Sequence, residues 1–151
     1  MKDSIGTYQK VIGYKLLRDD MSLTLQYDRI RYPVGKWVSV PGNGAYVAIS
    51  GGLLTGGGDV VRDELAQFEC EEPSGANAPD GVVCFRKVLR VKLDACDFAR
   101  LAEHDVDYDV RAAAAAKVED QALLARLAEH DADWQVREAA CLKISRKETK
   151  S

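Results

Sequence analysis

The sequence predicts an α+β protein, with a mainly antiparallel β-sheet domain over residues 1–92 followed by two short helical hairpins over 93–151. Three observations predict it. Before residue 92, short runs rich in β-branched and aromatic residues alternate with clusters of Gly, Pro, Asn and Asp. After it, a 26-residue unit occurs twice, and residues 94–119 match 120–145 at 14 of 26 positions. Within these units an aspartate recurs every 13 residues, at Asp94, Asp107, Asp120 and Asp133.

Residues 11–17 read as the first strand, Asp19-Asp20 as a turn, and 23–27 as a further strand or an extended arm. Tyr32-Pro33-Val34-Gly35 turns into a strand at 37–40. Pro41-Gly42-Asn43-Gly44 is turn chemistry, and 45–49 resumes a β-type run. Residues 64–70 and 82–91 are two more strands, joined by a Pro-, Gly- and Asn-rich loop from Glu71 to Gly81. With no helical crossover between them, these strands favour an antiparallel sheet.

Each recurring aspartate precedes a helical segment of about ten residues. Its carboxylate accepts the unpaired amide protons of a first turn and complements the positive helix end, so all four are predicted N-caps. Val110, Ala113 and Ala114 in one unit and Val136, Ala139 and Ala140 in the next have the i, i+3, i+4 spacing of an apolar helix face. Phe98, Leu101 and Ala102, then Leu124, Leu127 and Ala128, supply the facing stripe. Two hairpins cannot bury these stripes alone, so the expectation is a core shared with the sheet. Residues 145–151 are polar and expected to fray.

The run Leu101-Ala102-x-x-Asp105-x-Asp107-x-x-Val110-Arg111, followed by alanines, a short break and Ala122-Leu123-Leu124-Ala125-Arg126-Leu127, resembles variant leucine-rich repeats and the related HEAT-like repeats. That resemblance implies a stack of short helices used for protein contacts. Where variant leucine-rich repeats carry Asn-Pro, this chain has Val118-Glu119, so which of the two families is closer stays open. In the N-terminal half, Tyr14-Lys15, Tyr32-Pro33-Val34-Gly35-Lys36 and Gly44-Ala45-Tyr46 are similar to an uncharacterised small domain of phage and bacterial proteins. The resemblance implies no activity. It suggests a phage accessory protein, and short phage proteins of this build act as inhibitors of host machinery, including host defence.

Composition narrows the class further. The net charge of −3 over 151 residues is no footprint for nucleic acid. The acids concentrate in the repeats: residues 1–92 carry 12 Lys/Arg and 11 Asp/Glu, residues 93–151 carry 9 and 13. A protein with a basic surface is therefore the expected partner. No stretch approaches the ~20 apolar residues of a membrane span, and the N-terminus does not read as an export signal, so a cytoplasmic location is expected. Cys70, Cys84, Cys96 and Cys141 include no Cys-x-x-Cys pair and read as buried free thiols. A Cys70–Cys84 disulfide across one hairpin is the alternative.

Few residues suggest chemistry. The glycine-rich stretch 51–58 lacks the Gly-Lys-Ser/Thr ending of a phosphate loop and runs into Asp59, so it reads as a surface loop. Leu53 and Leu54 within it either tuck under the loop or form a contact patch. His104 and His130 share one repeat position, which favours a structural place at a helix end over catalysis. Arg111 and Arg137 suit an Asp–Arg ladder between repeats, with ligand contact as a secondary use. Tyr108 and Trp134 either anchor a partner or pack on the next helix. The function expected is a non-catalytic protein-binding module with Tyr108, Arg111, Trp134, Arg137, Leu53 and Leu54 as partner-binding residues, and no cofactor or metal. Two rivals stand beside it. One is a nucleotide-cofactor transferase drawing on Tyr14, Lys15, Arg29, Arg31, Tyr46 and Glu64; the other is a structural subunit that self-associates.

Overall fold

A computed structural model of the chain describes residues 11–18, 21–22, 30–54, 60 and 63–150, the side chains of 21–22 and 147–150 excepted. The predicted turn at 19–20, the strand at 23–27, Arg29 and the glycines 56–58 lie outside these residues. The fold is α+β, six strands followed by four helices. The chain forms two compact units, one of residues 1–58 and 66–92, the other of 59–65 and 93–151.

The strands are β1 (Val11–Arg18), β2 (Met21–Ser22), β3 (Trp37–Ser39), β4 (Ala45–Ala48), β5 (Glu64–Pro73) and β6 (Val82–Val91), all in the first unit except the first two residues of β5. β1 pairs with β4, β4 with β6, β6 with β5 and β5 with β1, so these four close into a ring. β6 is the strand the others share. One edge takes β5, from Gln67 opposite Val91 to Pro73 opposite Phe85. The other edge takes β3 and then β4, both antiparallel. β3 and β4 are thus two halves of one strand, and Pro41–Gly44 is an excursion between them rather than a hairpin turn. Gly42 and Gly44 sit at φ +67 and +87, and a Cβ on Gly44 would lie 2.5 Å from the Phe85 carbonyl oxygen. Only glycine fits there. β5 also runs further than expected, to Pro73, because a proline at a strand end forfeits no interior ladder bond.

The ring is filled by Leu17, Tyr32, Val47, Phe68, Cys70, Phe85 and Val88, among others. Tyr32 meets Phe68 edge to face with ring centroids 5.2 Å apart. Cys70 and Cys84 are buried free thiols and form no disulfide. The register explains it: Cys70 lies opposite Val88, while Cys84 lies opposite Tyr46 on the other edge of β6. Burial pushes the Cys70 thiol up to about 12, with Lys15 opposing and Glu69 reinforcing the shift. Cys96 and Cys141, expected to be buried, are exposed.

In the second unit α1 (Ala95–His104), α2 (Tyr108–Ala115), α3 (Gln121–His130) and α4 (Trp134–Lys150) each begin one residue after a predicted cap. Asp94 and Asp97 form a reciprocal capping box on α1. The Asp120 carboxylate accepts from Ala122 N at 2.9 Å and Leu123 N at 3.3 Å. Asp133 accepts from Gln135 N at 2.8 Å. Asp107 holds the N-cap position of α2 without a side-chain capping bond. α1 packs on α2, α3 on α4, and α2 on α4, which stacks the two hairpins through their second helices. Residues 112–116, all alanine, are buried, and so are Val110, Val136, Ala139 and Ala140. α4 is twice as long as α2 and continues to Lys150 where fraying was expected. The physical reason is local: α2 stops before the cap Asp120, whereas the corresponding residue after α4's first turns is Arg146, a good helix former.

Candidate binding face of the helical repeats

The turns between paired helices set the geometry of the site. In the first hairpin the Asp105 carboxylate accepts from Asp107 N at 2.9 Å, and in the second Asp131 does the same for Asp133 N at 2.9 Å. Each turn is then clamped from the following helix. Arg111 Nη1 donates to the Asp105 carbonyl at 2.9 Å, and Arg137 Nη1 to the Asp131 carbonyl at 2.6 Å. Two identical turn-and-clamp units result from one repeated sequence.

Between the units the predicted ladder has one rung in place. The Arg111 guanidinium also donates from Nε and Nη2 to both oxygens of Asp131, at 3.2 and 3.3 Å. The pair is largely withdrawn from water, with side chains 16% and 7% exposed. A planar fork meeting a carboxylate fixes direction as well as distance, so the rung sets how one hairpin seats on the other. Two further bonds span the repeats, Arg126 to Glu103 at 2.7 Å and Lys143 to Glu119 at 3.2 Å. The sequence repeat does not single out Glu103 or Glu119, because an exposed glutamate in a helix is ordinary.

Tyr108 and Trp134 stand at the first position of α2 and α4 and are 41% and 59% exposed. Both rings reach solvent, which favours the partner-anchor reading over packing on the next helix. His104 and His130 close α1 and α3 and are mostly solvent-exposed, each 3.5 Å from its preceding glutamate. They line an open cleft of about 560 Å³ with Arg111, Arg126 and Asp131. Its lining residues include no serine, threonine or cysteine, hence no hydroxyl or thiol nucleophile.

Elsewhere the expected site residues separate. Leu53 is buried and Leu54 half-buried, so Leu53 is withdrawn from a contact patch. Lys15 is buried and donates from Nζ to the Tyr46 carbonyl oxygen, a structural bond inside the sheet unit. Glu64 belongs to the other unit, with the helices. There Lys117 is held below the usual lysine range by burial, against the opposing pull of Glu64 and Asp63. Among the described residues no group of three or more His, Cys, Asp or Glu side chains could hold a metal ion, and no helix is long and apolar enough to cross a membrane.

No protein-family model, curated protein or solved structure matches this chain.

Proposed function

We propose that the helical repeats form a non-catalytic protein-binding module whose contact edge carries Tyr108 and Trp134. The observation behind it is that two large aromatics occupy equivalent repeat positions and both face solvent. An aromatic ring buries a large area on docking at little entropic cost, which is why Tyr and Trp dominate interface anchors. Arg111 supports the edge by fixing the spacing of the two hairpins, and Arg137 extends it. The acidic balance of residues 93–151 favours a partner with a basic surface.

The test compares wild type with Trp134→Ala in affinity capture from the native host. Truncating a true anchor costs ~2 kcal/mol or more, roughly a thirtyfold loss of affinity. His104→Ala and His130→Ala should leave binding near wild type. Because Trp134 is exposed, its removal should barely move the unfolding midpoint, so a binding loss is not a folding loss. A partner bound equally well by the folded Trp134→Ala protein places the contact elsewhere and removes this reading.

A further inference from the structure

The two hairpins are equivalent in sequence but not in surroundings. α4 lies against α2, and Ala112 and Ala115 of α2 and Ala116 at its C-cap are buried. One repeat later the same three positions are Glu138, Cys141 and Leu142, and all are exposed. The charged partners differ in the same sense. Arg111 grips the turn aspartate of the following hairpin, whereas Arg137, clamped in the same way on its own turn, meets no carboxylate among the described residues. Glu103 receives Arg126, while its counterpart Glu129 is 72% exposed and, among the described residues, is paired with the adjacent His130 alone.

We infer that this open side of α4 seats one more helical hairpin, supplied by another protein, whose turn aspartate enters the Arg137 fork. The inference rests on the protein-binding reading of the repeats and names the chemistry of the partner. That partner offers a carboxylate in a tight turn for Arg137, and basic side chains on its helices for Glu129 and Glu138. Small residues between them receive Leu142 and Cys141. A second copy of this chain does not meet the requirement. Its first hairpin, the one left to offer, has the apolar stripe of α2 (Val110, Ala113 and Ala114) already buried.

The probe is a synthetic hairpin with the sequence of residues 120–146, which carries the Asp131 and Arg126 that fill the existing junction. Its own Cys141 is replaced by alanine. The full chain, bearing Cys96→Ser, reports through the reaction rate of its Cys141 with a thiol reagent. Because a free hairpin of this length folds poorly, it is also tested joined after residue 151 through a flexible linker, which raises its local concentration to about the millimolar range. The expected result is at least tenfold slower labelling of Cys141 with the hairpin, free or joined. That protection should be abolished by Asp131→Asn in the hairpin or Arg137→Lys in the chain. Unchanged labelling in both formats overturns the inference, as does protection indifferent to those two changes. Concentration-dependent protection of the chain alone assigns the face to a second copy and overturns it too. A native partner lost by Trp134→Ala but indifferent to Arg137→Lys leaves the binding module standing and removes the hairpin.

Discussion

Asp120 does for α3 with one carboxylate what Asp94 and Asp97 do for α1 together. It satisfies two amide protons that would otherwise face water unpaired. Asp120→Ala should therefore lower stability by about 0.5–2 kcal/mol, read as a shift of the denaturant midpoint at unchanged slope. The capping box adds a pH dependence. A backbone hydrogen bond from Asp94, then Arg100, holds the Asp97 carboxyl below the ordinary aspartate value of 3.8. A group depressed on folding stabilises above its unfolded pKa and loses that contribution as pH falls through the folded value. Asp97→Asn should thus flatten the fall of the unfolding midpoint in acid below about pH 4. A midpoint that declines as steeply as in wild type would show that the box does not contribute. These caps were legible in the sequence because Asp at a fixed spacing has a single strong use. Asp131 as the acceptor of Arg111 was legible only as a general ladder, since the pairing depends on how the hairpins stack.

At the scale of elements, the regular pieces were readable and their interruptions less so. Alternation located β1, β4 and β6, and the 13-residue spacing located all four helix starts. The excursion at Pro41–Gly44 was legible as a turn, but the fact that the chain returns to the same edge of β6 is a matter of register. Gly44 carries that return. Gly44→Ala meets both a positive φ and the Phe85 carbonyl, so it should destabilise by roughly 1–3 kcal/mol. Gly35→Ala also has a positive φ, but a Cβ there has open space and should cost less. Equal losses at the two glycines would mean that the close approach to β6 has no energetic weight. The length of α4 escaped prediction for a different reason: a polar run without Gly or Pro reads equally as tail or as helix.

At the scale of the molecule, the change from strands to helices between Val91 and Ala95 was legible as a change of periodicity, from two to about 3.6. The grouping of residues 59–65 with the helices was not, because nothing in that short stretch has a helical or repeat signature. It follows that residues 93–151 alone lack part of their compact unit, including the acids Asp63 and Glu64 that face Lys117. That fragment should unfold without a sharp cooperative transition, whereas the full chain should show one. A dispersed amide spectrum and a steep melt from residues 93–151 would show the helices self-sufficient. The function was the least legible level. Exposure of Tyr108 and Trp134 depends on which side of a helix its neighbours occupy, and a 26-residue repeat read in one dimension does not carry that.

The closed ring of strands has a consequence in time. β1 must find β5, a partner some fifty residues further along the chain, and β4 must wait for β6. Each helical hairpin, by contrast, closes over a turn of three residues. Local contacts form early, and distant pairings carry the entropic cost of closing a long loop first. In refolding from denaturant the helical signal should therefore recover before the ring shields Cys70, although the helices follow the strands in the chain.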